Sequence, residues 1–171
     1  MLERRFYREM PSPIGTLTLV SDGTHLNAVH MRTFAEVVAR EPRDWQESTA
    51  HLAHAYDQLS AYFAGERRDF TLPLRADGTP FQQRVWTALT RIPFATTWSY
   101  GALAAYIGAP GHARAVGAAN GHNPIAIIVP CHRVIGANGK LVGYGGGLDR
   151  KRWLLEHEAR AVASATQLTL V

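Results

Sequence analysis

The sequence predicts an α/β N-terminal domain, with a small antiparallel sheet and a helix, followed by a mainly α-helical C-terminal domain that contains a helix-turn-helix. Two observations support this fold class. Short β-like runs separated by turn-forming clusters occupy residues 4–31, and helix-capping and glycine signals begin at residue 79. We therefore place the domains at residues 1–78 and 79–171; the chain of 171 residues is long enough for two small cores.

Three β-like runs open the N-terminal domain: "RRFYREM", "GTLTLV" and "HLNAVHM", separated by the turn-forming clusters "PSPIG" and "SDGT". A helix is predicted over about residues 50–64, and Gly65 can end it. Apolar residues recur in this helix at helical spacing: Leu52, Ala55, Leu59 and Phe63. No catalytic grouping is evident in this domain, so we expect it to be structural.

The C-terminal domain begins with a capping box. Thr79 is the predicted N-cap, Pro80 takes the first helical position, and Gln82 follows three residues after the cap. A stripe of core residues continues at helical spacing: Phe81, Val85, Ala88 and Leu89.

Three further helices are predicted in this domain. "SYGALAAYIGAPGHARAVGAANG" indicates helices at about residues 100–107 and 112–120, joined by "GAPG" as in a helix-turn-helix. A last helix, at about 149–160, is predicted to begin at Asp149 as its N-cap. The residues that we expect this helix to bury are Trp153 and Leu154.

Charge is distributed unevenly along the chain. Residues 1–79 contain 9 Lys/Arg and 11 Asp/Glu, a net charge of −2, whereas residues 80–171 contain 9 and 3, a net charge of +6. No acid occurs in the 71 residues between Asp77 and Asp149, where the average composition would place about six. The basic residues of this segment are Arg84, Arg91, Arg114, Arg133 and Lys140. Such a surface attracts phosphate backbones; a neutral Ala/Gly-rich core segment is the alternative.

Cysteine content and hydropathy limit the class of protein. Cys131 is the only cysteine, which excludes an intramolecular disulfide and a thiolate-rich zinc site. The sequence shows no signal-peptide pattern and no apolar run near the roughly 20 residues of a membrane helix. We therefore expect a cytoplasmic protein without membrane association, bound metal or cofactor.

The stretch "NPIAIIVPCHRVIG" places Cys131 directly before two potential cations, His132 and Arg133. A lone cysteine is often a small buried hydrophobe, but neighbouring cations lower a thiol pKa and favour the reactive thiolate. Adjacent residues of an extended chain point to opposite faces, so a proton would pass from Cys131 to His132 through a water. The acids of the C-terminal half that could orient the imidazole are Asp149, Glu156 and Glu158.

The second helix of the helix-turn-helix contains small residues and Arg114 as its only charged residue. The small residues are Ala113, Ala115, Gly117, Ala118 and Ala119. Long side chains that read bases in the major groove are nearly absent. If this helix contacts DNA, it should do so by shape and backbone in the minor groove. Downstream, the glycines of "GYGGG" permit close backbone approach to a flat ligand.

Four motifs, in this order and spacing, resemble the O6-alkylguanine-DNA alkyltransferase family (methylated-DNA–protein-cysteine methyltransferases): "SYGALA", "ARAVGAANGHNP", "PCHRVIG" and "GYGGGLDRKRWLLEHE". The resemblance covers residues 80–160 and extends weakly through "SPIGTL" and "LSAYFAG". It implies a ribonuclease-H-like N-terminal domain and direct-reversal DNA repair. The alkyl group of a flipped-out O6-alkylguanine, and also of O4-alkylthymine, would pass irreversibly and stoichiometrically to Cys131.

The resemblance also implies the roles of the reacting residues. Cys131 would accept the alkyl group in one in-line displacement, and His132 would take the thiol proton through a water. Glu158 would hold the imidazole, and Asn123 would stabilise the turn that presents the network. Tyr100 would give a hydrogen bond or a proton to guanine N3, which makes the base a better leaving group.

Substrate and DNA contacts follow from the same motif match. The backbone of Cys131 and Val134 would bind the exocyclic amine, and the Gly145 N–H, in the loop that continues through Gly146, would bind O6. Tyr144 is expected either to wall the pocket or to lie in the core. On the small-residue helix, Arg114 would fill the base stack after flipping.

The implied partner is double-stranded DNA that carries O6-alkylguanine, bound by a protein that is monomeric in solution, with cooperative binding along DNA left open. Two alternatives from another class are a non-enzymatic sensor of alkylated bases and a helix-turn-helix regulator. Against them stand the presence of Cys131 and the scarcity of base-reading side chains. A thiol hydrolase is the enzymatic alternative, and the adjacency of Cys131 and His132 disfavours it.

Overall fold

The computed structural model describes residues 3–169, and these form two compact units. The first unit runs to Asp77 and also includes Pro124–Ala126, and the second contains Gly78–Asn123 and the chain from Ile127 onward. The predicted domains 1–78 and 79–171 extend at both termini beyond the described residues. The assignment of a structural role to one domain and a catalytic role to the other stays a prediction.

The first unit is built on a four-stranded sheet with the order β3-β2-β1-β4 among its described residues. Its elements are β1 (Arg4–Met10), β2 (Leu17–Ser21), β3 (Leu26–His30), the short helix α1 (Phe34–Val38) and β4 (Asp44–Glu47). The first three strands are antiparallel, as expected, but β4 pairs parallel to β1, so the sheet is mixed. The prediction missed β4 because "DWQE" is mostly exposed and has no apolar alternation.

The predicted helix after the sheet is confirmed as a 3₁₀ turn, Ala50–Leu52, that continues into α2 (Ala53–Phe63). Gly65 follows its end at φ 78°, a left-handed conformation that favours glycine. Leu52, Ala55 and Leu59 of the apolar series are buried, Phe63 is half-buried, and Tyr62 is fully buried beside it. Both positions lie at helical spacing from the buried Leu59, and the helix turns its i+3 position inward.

A hairpin turn in this unit is organised by the Asp22 carboxylate. Its Oδ1 accepts hydrogen bonds from the backbone N–H groups of Thr24 (2.8 Å) and His25 (2.7 Å). The Asn27 side-chain amide lies 3.4 Å from Oδ2, and Arg5 Nη1 lies 3.9 Å from the same oxygen. Burial by itself raises the Asp22 pKa, but the two backbone donors, Asn27 and His25 together lower it to about 2.

Three residues from far along the chain complete the first unit. The Val29 N–H of β3 donates to Pro124 O at 2.9 Å, and Val29 forms an isolated parallel bridge with Ile125. The chain therefore enters this sheet again immediately before the segment that leads to Cys131.

The second unit is mainly helical. Its elements are α3 (Pro80–Leu89), β5 (Trp98–Ser99), α4 (Tyr100–Tyr106), α5 (Ala113–Gly121), a 3₁₀ turn (Cys131–Arg133), β6 (Val134–Ile135) and α6 (Leu148–Thr169). The capping box is confirmed, because Gln82 N donates to Thr79 Oγ1 (3.2 Å) and Thr79 N donates to Gln82 Oε1 (2.9 Å). In the predicted stripe, Val85, Ala88 and Leu89 are buried, and Phe81 is half-buried.

The predicted pair of short helices is confirmed as α4 and α5, with bounds within one residue of those expected. Ser99 caps α4, since its Oγ accepts from Ala102 N at 3.0 Å. The connecting turn contains Gly108 and Gly111 at φ 73° and 81°. Helix α5 buries Val116, Ala119 and Asn120. The small residues of its other face therefore lie toward solvent.

The last helix differs from its prediction at both ends. It extends over Leu148–Thr169, and Asp149 lies inside the first turn rather than at the N-cap. Gly147 precedes the helix at φ 91°, and its carbonyl accepts from Lys151 N at 3.2 Å. Leu154 is fully buried, as expected, whereas Trp153 is only half-buried.

Neither a bilayer-spanning helix nor a metal-binding cluster is found in residues 3–169. No helix there combines sufficient length with sufficient apolar character to cross a membrane. No group of three His, Cys, Asp or Glu side chains in the same part of the chain is placed to hold a metal ion.

We predict that Asp22→Ala lowers the free energy of unfolding by about 2 kcal/mol at neutral pH, because two turn N–H groups lose a charged acceptor. The pKa of Asp22 is lowered from 3.8 to about 2, so this stabilisation is complete above the unfolded pKa and is lost as the pH falls toward the folded one. Urea denaturation across acidic pH tests this. Asp57→Ala, at an exposed site in α2, is the control, and a wild-type advantage independent of pH would contradict the prediction.

Candidate active site

Cys131 is held at the start of a 3₁₀ turn by two asparagines. Its N–H donates to Val129 O at 2.8 Å, and Asn123 Nδ2 donates to the same carbonyl at 2.8 Å. Asn120 Nδ2, from α5, lies 3.3 Å from the Cys131 carbonyl. Upstream, Ile127 is fully buried at φ 72°, a left-handed conformation that a β-branched residue rarely adopts. The backbone that presents the thiol is therefore fixed from both sides.

The Glu158 carboxylate of α6 joins the turn to the rest of the second unit. It is fully buried and accepts from His132 Nε2 (2.8 Å), Arg133 Nη2 (2.9 Å) and Arg133 Nε (3.0 Å). Ala95, at φ 58°, donates its N–H at 3.0 Å to Glu158 Oε2, the oxygen that also accepts from Arg133 Nε. Arg133 also donates to Ile92 O at 2.8 Å. Arg133 is thus a buried, paired cation that links the turn to Glu158 and to the Ile92 carbonyl.

The hydrogen bonds of His132 determine which ring nitrogen is available as a base. Burial, together with the charges of Arg133 and Lys151, lowers the His132 pKa against the opposing effect of Glu158, so the imidazole is neutral at rest. Nε2 carries the proton that is donated to Glu158, while Nδ1 is buried and has no hydrogen-bond partner within residues 3–169. The pKa of Glu158 is held well below its usual range, against the effect of burial, by hydrogen bonds and charge from His132 and Arg133. A neutral imidazole with a free lone pair results.

The electrostatics of Cys131 differ from what its neighbours in sequence indicated. Burial raises the thiol pKa, and Asn123, the Lys151 charge, the Cys131 backbone N–H and Tyr144 only partly oppose this effect. His132 is neutral and the charge of Arg133 is neutralised by Glu158, so neither lowers the thiol pKa as a neighbouring cation would. The resting side chain is therefore a protonated thiol.

A cleft of about 540 Å³ opens in the second unit, and one of its lining residues, Tyr144, lowers the Cys131 pKa through a hydrogen bond that partly opposes the effect of burial. It is lined by Tyr100, Ala113, Arg114, Gly117, Gly121, Val142, Gly143, Tyr144 and Gly145. The Tyr100 hydroxyl donates to Val142 O at 3.0 Å. A Cβ at Gly117 would lie 3.6 Å from the Tyr100 ring, so the small residue lets α5 approach that ring closely. Six of the predicted site residues thus line one cleft.

The remaining predicted residues take other positions. Val134 is fully buried in β6, which pairs with β5, and Gly146 is half-buried with its carbonyl 3.4 Å from Arg150 Nη1. Ala115 and Ala118 are exposed on α5 and do not line the cleft. Tyr144, for which pocket and core positions were both expected, lines the cleft.

Two residues in this site were missed from the sequence. Lys151 is fully buried, and its Nζ lies 3.1 Å from Val142 O. A signal was available, because Lys151 shares a helical stripe with the buried Leu154 and Glu158 at i, i+3 and i+7. Asn120 occupies the buried i+4 position after Val116 on α5, where an apolar residue is the ordinary choice.

Comparison with known families decides the relationship. A model of the DNA-binding domain of 6-O-methylguanine DNA methyltransferase matches residues 80–164, and a model of the ribonuclease-like domain of the same family matches residues 6–76. The chain belongs to the 6-O-methylguanine DNA methyltransferase family. The expected fold class, a ribonuclease-like α/β domain followed by a helical DNA-binding domain, is confirmed by these matches.

Individual family members are similar over nearly their whole length. A Mycobacterium bovis protein named methylated-DNA–protein-cysteine methyltransferase is 56% identical over 161 residues, which are 94% of this chain and 96% of the relative. The crystal structure of the Mycobacterium tuberculosis O6-methylguanine methyltransferase is 56% identical, with a TM-score of 0.81 over 90% of this chain and 92% of that one. A Mycobacterium tuberculosis structure in complex with DNA is 55% identical, with a TM-score of 0.85 over 91% and 94% of the two chains.

We predict that Glu158→Gln destabilises this family member by about 3–5 kcal/mol, because a buried guanidinium loses its counter-ion and an amide N–H₂ faces other donors. Urea denaturation of the purified variant measures the loss. Glu156→Gln is the matched control, since Glu156 is exposed on the same helix and contacts only Arg160 at 3.7 Å among the ion pairs of the described chain. An effect of Glu158→Gln as small as that of the control would contradict the prediction.

Proposed function

We propose that this chain repairs alkylated DNA directly, by moving an alkyl group from guanine O6 to the Sγ of its own Cys131. The observation that carries the proposal is the Cys131, His132 and Glu158 arrangement next to a cleft, in a member of a methyltransferase family. In the transfer, the S–H and the O6–alkyl bonds break and an S–alkyl bond forms. The protein keeps a thioether, so each chain reacts once and irreversibly.

The thiol proton leaves through His132. A water molecule between Sγ and Nδ1 would take the proton to the imidazole, and Glu158 stabilises the imidazolium that forms. Support comes from the neutral state of His132 and from the orientation of its free lone pair away from Glu158. Asn123, by holding the Val129 carbonyl, positions the turn that carries the thiol.

The cleft positions the base for displacement. The Tyr100 hydroxyl donates its hydrogen to guanine N3, and the Gly145 N–H binds O6, so that negative charge on the leaving base is stabilised. Backbone groups of Cys131 and Val134 bind the exocyclic amine, while Tyr144 walls the cleft and Gly146 continues the loop. O4-alkylthymine is a second substrate of the same chemistry.

The α5 face brings DNA to the cleft. Arg114 is exposed at the cleft edge and fills the stack when the nucleotide flips, a step that costs a few kcal/mol. The small residues Ala113, Ala115, Gly117 and Ala118 let this face enter the narrow minor groove. The acid-free segment supplies attraction to phosphates. We place the activity in the cytoplasm, in a monomer that uses no cofactor.

The first experiment mixes the protein with an excess of duplex that carries O6-methylguanine, and the intact protein is then weighed. We expect a gain of one methyl group, mapped to Cys131 and saturating at one per chain. Cys131→Ser should gain nothing, because an alcohol is far less ionised than a thiol at neutral pH. Wild-type protein that binds the methylated duplex without gaining mass would instead be a sensor.

The role of Arg114 predicts a dependence on base pairing. Arg114→Ala should slow repair of a paired duplex about tenfold or more, because the flipped nucleotide leaves an unfilled stack. In single-stranded DNA no stack has to be opened, so the same variant should lose much less. Arg160→Ala, exposed on α6 and outside the acid-free segment, is the charge control. Equal slowing on both substrates would refute the finger role.

A further inference from the structure

Two donors converge on one carbonyl at the rim of the cleft. The Tyr100 hydroxyl lies 3.0 Å from Val142 O, and Lys151 Nζ lies 3.1 Å from the same oxygen. Both donors are also 3.5 Å from Gly143 O. Tyr100 is in α4 and Lys151 is in α6. The loop at residues 142–143 connects the two side chains, because both donate to its carbonyl oxygens.

The proposed reaction creates a conflict at this carbonyl. A tyrosine hydroxyl has one hydrogen, and in the free protein it is donated to Val142 O. The same hydrogen is needed at guanine N3 when the base is displaced. Because Val142 lines the cleft, a base seated there shields its carbonyl from water. Loss of the tyrosine donor would then leave a covered acceptor unsatisfied, which opposes the transfer.

Lys151 has the geometry to resolve this conflict. An ammonium group has three hydrogens, so Nζ can serve Val142 O and Gly143 O together. Its side chain is fully buried, and it forms no ion pair with any of the described residues 3–169. Nζ lies 5.8 Å from the Tyr100 ring centroid and 5.9 Å from that of Tyr144, where two aromatic faces stabilise its charge. Burial lowers the Lys151 pKa, and only the thiolate form of Cys131 would oppose that shift.

We propose that Lys151 is a positioning residue that keeps the Val142 carbonyl hydrogen-bonded while the Tyr100 hydroxyl turns to guanine N3. This inference rests on the proposed alkyl transfer and adds to it a residue that acts through Tyr100. Lys151 releases the tyrosine hydrogen at little free-energy cost and holds the 142–143 loop in place during the exchange.

The test is a double-mutant cycle combined with a substrate change. Lys151→Met should slow methyl transfer at saturating duplex about tenfold, the rate equivalent of one lost hydrogen bond. In a Tyr100→Phe background, the same substitution should add less than about twofold. It should also add less than about twofold with O6-methyl-3-deazaguanine, where a C–H replaces N3 and accepts nothing. Lys151→Arg, which keeps charge and donors, should recover most of the rate.

Controls separate the possible failures. Arg152→Met removes one positive charge from an exposed site on the same helix and should leave the rate unchanged. Slowing by the same factor in the Tyr100→Phe protein or with the 3-deaza base would overturn the inference, as would a wild-type rate for Lys151→Met. If Lys151→Met does not fold, Lys151→Gln, which is shorter and neutral, enters the same comparisons. If the wild-type protein transfers no methyl group, the proposed function itself fails.

Discussion

The site depends on the hydrogen-bonded pairing of the buried Glu158 carboxylate with its neighbours. A charge removed from water is tolerated only where it is paired and hydrogen-bonded, and Glu158 meets both conditions with His132, Arg133 and Ala95. These partners come from two loops, while Glu158 comes from the long helix α6. The pairing therefore fastens the thiol-bearing turn to the most extended element of the second unit. The left-handed backbone of Ala95 is retained because its N–H ends on this carboxylate.

The same pairing assigns the charges around Cys131. Arg133 is neutralised and His132 is kept as a neutral base, so the positive charge that acts on the thiol comes from Lys151, twenty residues away in the sequence. In the proposed mechanism, Cys131 is therefore a protonated nucleophile, His132 is the base that receives its proton, and Tyr100 is the donor to the leaving base. Each of these groups is positioned by a hydrogen bond to another part of the second unit.

Most of the second unit could be predicted from local signals. The capping box at Thr79, the glycine-punctuated pair α4 and α5, and the inward Leu154 are properties of short segments. The parallel strand β4 could not be predicted, because its pairing partner is distant in sequence and its side chains are mostly exposed. The start of α6 was misplaced by two residues because glycine, and not the aspartate, precedes the first turn.

Only part of the chemistry of the site could be predicted from the types and order of its residues. Cys131 and His132 are adjacent, and the resemblance to a known family selected Glu158 from three acids. The sequence alone suggested that adjacent cations lower the thiol pKa, but burial and the pairing of Arg133 reverse that expectation. Lys151 was missed because a lysine in a charged run is usually solvated, whereas here tertiary packing buries it completely.

The burial of a protonated Cys131 also affects how fast the thiol is lost to oxidation before it reacts. Peroxides and soluble electrophiles attack exposed thiolates, and a buried thiol with a raised pKa is a poor target for them. A sulfenic acid on this sulfur would have no second cysteine in the chain with which to form a rescuing disulfide. Shielding of the sulfur therefore slows the oxidation of Cys131 and preserves the fraction of molecules that still carry a reactive thiol.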